Sequence, residues 1–273
     1  MPAFFSPSKL NLFFLIIDKR PDGYHQISSL LQAIDLGDTL HIDLAADDEM
    51  RCSDARLPTD RRNLVIKARD LFRAKLAEKR EKSDFCAHIF LDKKVPMEAG
   101  LGGGSSNAAT TLWALNHLLK SPFTDDELAQ MGSEIGSDIP FFFSSGSALC
   151  SGRGEIVRPP GFIVPKEQVT IVKPDFGLST AAVYGAFDFK EIPDRGRGSY
   201  FNDLERAAFR VNPELKKIKG KLLALGFHQV VMTGSGSAFF CLGEADQPQI
   251  EGVTFFSAEY LTRKAGNWYN PLD

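Results

Sequence analysis

The stretch 93–119, KKVPMEAGLGGGSSNAATTLWALNHLL, restricts the fold more than any other part of the chain. Gly102, Gly103 and Gly104 stand side by side and two serines follow. An apolar pattern of helical period then begins at once, with Ala108, Leu112, Leu115, Leu118 and Leu119. A glycine inside a regular element costs roughly 0.5–1 kcal/mol relative to alanine, so a row of three implies that bare backbone must approach something closely. A glycine-rich loop running into a helix N-terminus offers free N–H groups and the positive end of the helix dipole, which suits phosphate. Ser105 or Ser106 is placed to cap the first turn. The competing reading is a flexible surface turn before an ordinary helix; phosphate binding is preferred.

Composition removes several other functions. The 273 residues suffice for one large domain or two ordinary ones. The formal charge is −3 and Lys and Arg are dispersed, so no basic stripe marks a nucleic-acid or anionic-membrane surface. The densest basic run, RAKLAEKREK (73–82), is interleaved with acids and reads as a solvated helix face. Cys52, Cys86, Cys150 and Cys241 are far apart, which argues against a zinc site or disulfide framework and for a reducing compartment. No apolar run approaches the ~20 residues that span a bilayer. The start MPAFFSPSKLNLFF lacks the basic opening and cleavage site of a signal peptide, so a cytoplasmic location is expected.

Apolar patterning predicts strands at 10–17, 27–34, 39–44, 87–91, 147–151, 156–158, 169–173, 228–232 and 238–242. Helices are predicted at 63–80, with Leu64, Leu71, Phe72 and Leu76 inward, and at 125–135, where Thr124 and Glu127 form a capping box. Two more are predicted at 202–211, with Asn202 as cap, and at 212–226, with Asn212 as cap, Pro213 at the first position and Gly226 as the stop. RPPGFIVP (158–165) is the best linker, and the clustering of strands and helices argues for two α+β domains, 1–160 and 161–273.

Familiar phosphate loops are absent. No lysine precedes the serines as in GxxxxGK[ST], the GxGxxG pattern breaks at Ser105, and the HRD and DFG motifs of protein kinases are missing. The stretch PMEAGLGGGSSNAA (96–109) instead resembles the central motif of the GHMP kinases. SPSKLNLFF (6–14) and MTGSGSAFF (232–240) lie where that family has its other two motifs. KLNLFF, RPDGYHQISSLLQAIDLGD (20–38) and GSDIPFF (136–142) add a narrower resemblance, to the branch that phosphorylates CDP-methylerythritol.

The resemblance implies a two-domain GHMP kinase fold of α+β class: a ribosomal protein S5-like N-terminal domain that binds ATP and a ferredoxin-like C-terminal domain. It implies transfer of the γ-phosphate of ATP to the 2-hydroxyl of 4-diphosphocytidyl-2-C-methyl-D-erythritol, giving the 2-phosphate and ADP, in the non-mevalonate route to isoprenoid precursors. Both substrates are small molecules, and Mg²⁺ is expected with ATP.

Residue roles follow by the same resemblance. Lys9 and Asp138 would be catalytic, Asp138 orienting and deprotonating the hydroxyl with Lys9 as its counter-ion. By position alone, Lys9 reads as a rim lysine, and Asp138 reads equally well as a cap for a turn at Pro140. Pro96, Met97, Glu98, Ala99, Gly100, Leu101, Gly102, Gly103, Gly104, Ser105 and Ser106 would wrap the phosphates. Asn63 and Lys93 would line the adenine pocket, although alone they read as a helix cap and a surface lysine. Tyr24 and His25 would meet the cytosine, with Tyr184 on the other face and Asn11 at the erythritol end. Gly234, Ser235 and Gly236 would shape the substrate side, and Ser106 is a weak candidate for Mg²⁺. Two alternatives stand beside this: another GHMP small-molecule kinase, of homoserine or mevalonate type, and an inactive nucleotide-binding regulator. Tyr24 and His25 count against the first, the retention of Lys9 and Asp138 against the second.

Overall fold

The computed structural model describes residues 1–79, 84–191, 198–243, 245, 250–264 and 266–269. Its frame is a long antiparallel hairpin of β1 (Ala3–Lys19) and β2 (His25–Ala45), paired from Ala3↔His41 to Lys19↔His25. The turn between them needs Gly23 at φ 87°. Turn-forming residues at 35–38 suggest a break between two strands, yet β2 runs straight through them. The two extra residues, 35 and 36, form a bulge between the pairs Ser8↔Ile34 and Pro7↔Gly37, and the Phe5 ring packs where a Cβ on Gly37 would lie.

Around the hairpin come β3 (Glu49–Cys52), α1 (Leu64–Lys79), β4 (Cys86–Asp92), α2 (Gly103–Leu118), α3 (Asp125–Ile135), β5 (Ser147–Gly152) and β6 (Ile156–Arg158). The strands form a sheet with β3-β4-β2-β1 in order, while β5 pairs with β2 and β6 with β5. Its core brings Leu40 and Ile42 against Phe72, Leu112, Leu115 and Phe141. Phe72, Leu76, Ala108, Leu112 and Leu115 are buried as helical period selects, whereas Leu64 and Leu71 are half-buried and Val65, Ile66 and Ala68 take the inner positions of α1. The capping box at Thr124 and Glu127 forms as expected.

A second sheet follows, from β7 (Gln168–Pro174), α4 (Thr180–Gly185), β8 (Phe201–Asn202), α5 (Glu205–Val211), α6 (Glu214–Ala224), β9 (Gln229–Met232), β10 (Phe239–Leu242) and β11 (Val253–Glu259). β8 leaves it to pair with β1. The remaining strands run β11-β7-β10-β9, all antiparallel, which is the ferredoxin-like order of fourth, first, third and second strand. Leu10, Leu12 and Ile34 pack with Ile171, Phe240 and Tyr260, so one apolar cluster joins the two sheets. Beyond Tyr260 the chain returns to the first sheet, where Trp268 Nε1 donates to the Phe5 carbonyl at 2.8 Å.

Three expected caps change. Neither Ser105 nor Ser106 caps α2: the helix begins at Gly103, and Gly102 precedes it in the left-handed region at φ 69° without a side-chain cap bond. Asn202 belongs to β8, and α5 starts only at Glu205. Its Nδ2 donates to the carbonyls of Met232 and Gly234, both at 2.7 Å, so it braces a loop instead. Asn212 does accept from Glu214 N, but α6 starts one residue after Pro213. β3, α4, β8 and β11 carry no clear period in the sequence and depend on their neighbours for their state.

Candidate active site

A cleft of about 1110 Å³ lies between the two sheets. β1 alternation puts Lys9 and Asn11 on the same face, and both line the cleft. Lys9 is buried, and its Nζ donates to Asn11 Oδ1 at 2.6 Å and to the Gly100 carbonyl at 2.8 Å. Its remaining approach is to Asp138 Oδ2, at 3.7 Å. Burial lowers the Lys9 pKa, and the charge of Asp138 opposes that shift. Asp138 does not cap the 3-10 turn Pro140–Phe143, whose first position carries no side-chain cap bond. Its carboxylate is 40% exposed and faces the cleft.

Asn11 is held by the second sheet. Its N–H donates to Thr233 Oγ1 at 3.1 Å and its Nδ2 to Ser29 Oγ at 2.8 Å, so its amide aligns the Lys9 ammonium. Gly102 lets the Lys9 stem pass, since a Cβ there would sit 3.0 Å from both Cγ and Cε. Gly234 does the same for the ammonium, with Lys9 Nζ 3.3 Å from its would-be Cβ.

Another part of the wall is aromatic. The His25 ring lies 5.2 Å from Tyr184 and near Phe187 and Phe189, so the start of β2 meets α4 of the second domain. Burial, aided by Lys19, pushes the His25 pKa below the ordinary histidine value, leaving a neutral ring that donates and accepts at pH 7. Tyr24 is 58% exposed and carries the Arg153 guanidinium over its ring, 5.1 Å from the centroid. Ser235 Oγ bonds Thr180 Oγ1 at 2.9 Å and lines the wall with Gly234 and Gly236.

Of the glycine loop, Glu98, Gly100, Gly102 and Ser105 face the cleft. Gly103 and Gly104 do not: a Cβ on them would point at Val95 and Leu64. The loop is stitched to the second domain through Ser237 N to the Glu98 carbonyl and Ala238 N to the Ala99 carbonyl. Ser106 is fully buried and bonds Ser6 Oγ at 2.8 Å, so it cannot reach a metal in the cleft. Asn63 caps α1, its Oδ1 accepting from Val65 N at 3.0 Å. Lys93 is no surface lysine, since its Nζ is buried against Asp38 at 2.8 Å. Neither Asn63 nor Lys93 lines the cleft.

Sequence reasoning overlooks three residues here: Asp38, Thr233 and Arg153. Arg153 had a signal, a cation between Gly152 and Gly154, both at positive φ in a tight turn. That turn touches the reacting end, because a Cβ on Gly154 would lie 3.4 Å from Asp138 Oδ1. Among the described residues no group of three or more His, Cys, Asp or Glu could hold a metal, and none of the helices is long and apolar enough to cross a membrane.

Comparison with known proteins bears on the family and the fold. Residues 63–146 match the GHMP kinase N-terminal domain and 185–254 the GHMP kinase C-terminal domain. The chain is 49% identical to the 4-diphosphocytidyl-2-C-methyl-D-erythritol kinase of Protochlamydia amoebophila, covering 98% of this chain and 93% of that one. It is 42% identical to the chloroplastic/chromoplastic enzyme of that name from Solanum lycopersicum, over 97% and 72%. A crystal structure of 4-(cytidine 5'-diphospho)-2C-methyl-D-erythritol kinase superposes with a TM-score of 0.78 at 29% identity, over 95% and 99%. Homoserine kinase from Cytophaga hutchinsonii, at 17% identity and a TM-score of 0.68, shares the fold.

Proposed function

This chain belongs to the GHMP kinases and, among them, to the 4-diphosphocytidyl-2-C-methyl-D-erythritol kinases, and from that premise we propose how its cleft divides the work of the reaction. The enzyme moves the γ-phosphate of ATP to the 2-hydroxyl of CDP-methylerythritol in isoprenoid precursor biosynthesis. Phosphoryl transfer passes through a loose transition state, so catalysis is mostly positioning and charge stabilisation. One observation carries the assignment of roles: the Lys9–Asp138 ion pair and the His25–Tyr184 ring pair line one and the same cleft.

Asp138 orients the hydroxyl and takes its proton as the bond to phosphorus forms. The buried Lys9 ammonium stabilises charge on the transferring group, where low polarity strengthens its field. The loop through Glu98, Gly100, Gly102 and Ser105 meets the triphosphate, and the neutral His25 reads the cytosine edge beside the rings of Tyr24 and Tyr184. Mg²⁺ keeps most of its waters and needs only one or two protein carboxylates. Glu98 and Asp138 are the carboxylates on the cleft that would meet it beside the phosphates, where it would neutralise developing charge. Arg153 stands between the base and the reacting hydroxyl, the place of the substrate's diphosphate, and is its cationic partner.

ADP release measured with CDP-methylerythritol, homoserine and mevalonate in parallel tests the substrate. Turnover is expected with the first alone, and comparable rates with either of the others would overturn the assignment. Tyr24→Ala is expected to weaken CDP binding about 5- to 150-fold, the range for losing one base–aromatic stack, with ATP affinity intact. Unchanged CDP affinity in a calorimetric titration would remove Tyr24 from the base pocket. Arg153→Met is expected to weaken CDP about tenfold while leaving cytidine nearly unaffected. That is the low end for a hydrogen bond to a charged group, because the side chain is 37% exposed. Equal losses for CDP and cytidine would mean that Arg153 serves the aromatic wall and not the diphosphate.

A further inference from the structure

We propose that Asp38 is a positioning residue for the triphosphate, holding the two ends of the glycine loop over one carboxylate, with Lys93 as its counter-ion and not a nucleotide ligand. This rests on the reading of that loop as the ATP site. Asp38 is fully buried on β2. Its Oδ1 accepts from the N–H of Lys94 and of Val95, both at 2.7 Å, which are the residues leading into the loop. Its Oδ2 accepts from Asn107 Nδ2 at 3.0 Å, one turn into α2, and from Lys93 Nζ at 2.8 Å. The segment 94–107 therefore departs from and returns to a single side chain.

The surrounding bonds tighten this base. Lys93 Nζ also donates to the Val95 carbonyl, and the Ser6 hydroxyl bonds Asn107 Oδ1 at 2.7 Å. The Lys93 ammonium lies 3.5 Å from where a Cβ on Gly103 would be, directly behind the first residue of α2. Neither Asp38 nor Lys93 reaches the cleft, so the network acts only through the backbone that it fixes. Donors that stabilise a transferring phosphoryl group must be in place beforehand, and charge-assisted bonds in a dry interior resist displacement. Any movement of the loop against α2 breaks bonds to this carboxylate.

The two oxygens have separable tasks, and that gives the test. Asp38→Asn keeps an oxygen for the N–H groups of Lys94 and Val95, but sets an amide nitrogen against the Lys93 ammonium and the Asn107 amide. Lys93→Met leaves the carboxylate without its counter-ion. The double variant removes both charges and keeps an acceptor for the N–H groups of Lys94 and Val95, losing only the bond from Asn107. Calorimetry with MgATP and no acceptor, and separately with CDP, is run on the full chain after wild-type turnover of CDP-methylerythritol has been shown. Failure of that turnover would remove the reading of the site, whereas the variants are compared on ATP affinity alone.

Each single variant is expected to bind ATP roughly tenfold more weakly or worse, the loss of about one charge-assisted hydrogen bond, with CDP affinity within about twofold. The double variant is expected to bind ATP more tightly than either single one. Losses that add, leaving the double variant weakest, would make Lys93 an independent nucleotide ligand and overturn the proposal. A fall in thermal midpoint with ATP affinity intact, or equal falls in ATP and CDP affinity, would reduce the network to a structural one. Asn107→Ala leaves the ion pair whole and keeps the proposal testable if the charge variants do not fold. It is expected to weaken ATP and not CDP, and unchanged ATP affinity in that variant overturns the proposal.

Discussion

Asp138→Asn is expected to lower kcat by about two to four orders of magnitude, the span of a general base contribution, while CDP still binds within about twofold. The substitution keeps shape but removes the charge that faces Lys9 at 3.7 Å and the oxygen that would receive the proton. The carboxylate caps no helix turn, so the fold loses little. Lys9→Met is expected to cut kcat comparably. It removes the ammonium that bonds Asn11 and Gly100, leaving two acceptors without their donor, so its thermal midpoint should fall as well. Because the two groups act on one transferring phosphoryl group, the double variant should lose far less than the product of the single losses. Steady-state kinetics on the four proteins decides the matter. Near-normal turnover in Asp138→Asn, or losses that multiply in the double variant, would dismantle the pair as a catalytic unit.

Gly100→Ala is expected to damage both stability and turnover, whereas Gly103→Ala should be close to neutral. Gly100 sits at φ 73°, where an L side chain costs roughly 1–2 kcal/mol, and its Cβ would fall far inside contact with the Thr233 carbonyl oxygen. The obstacle is backbone of the second domain, so the two loops must part, adding about 1–3 kcal/mol of overpacking. Together these amount to a midpoint lower by about 5 °C or more for a chain of this size. Turnover falls too, because the Gly100 carbonyl orients Lys9. Gly103 is helical, and its Cβ would meet the Val95 side chain, Cγ1 at 3.1 Å and Cβ at 3.3 Å, with Lys93 Nζ at 3.5 Å. That crowding offsets the roughly 0.5–1 kcal/mol that alanine gains in a helix. Thermal melts with kinetics on the same preparations compare them. A Gly100→Ala protein that melts and turns over like the wild type would refute this account of the loop.

The same glycine loop marks where a local pattern stops short of the individual residue. Three glycines in a row point to a close approach of backbone, and the close approach exists. It falls at Gly100 and Gly102, which contact Thr233 and the Lys9 stem, whereas Gly103 and Gly104 open α2 with the Cβ direction toward Val95 and Leu64. Likewise Ser106 stands where a cap or a metal ligand would stand, but the turn of the helix carries it inward to Ser6.

The sequence by itself determined the elements whose pattern is local and strong. Helical period fixed α1, α2 and α3, the Thr124 capping box fixed the start of α3, and apolar runs fixed β4, β5, β7, β9 and β10. Spaced motifs were enough to indicate the family, and they named Lys9, Asp138, Tyr24 and His25, all of which the fold brings to one cleft. What only the tertiary structure decided depends on partners distant in the chain. β2 continues through 35–38 because β1 pairs with it on either side of a bulge at 35–36, and β4 joins it from Thr39 onward. Asp38, in a segment that reads as a turn, is buried by residues 55 to 69 positions away, and holds the Lys93 ammonium in an ion pair. Arg153 and Thr233 acquire roles only when the domains meet, for a polar group's task is set by what it faces after burial, and no window of sequence contains both sides of that contact.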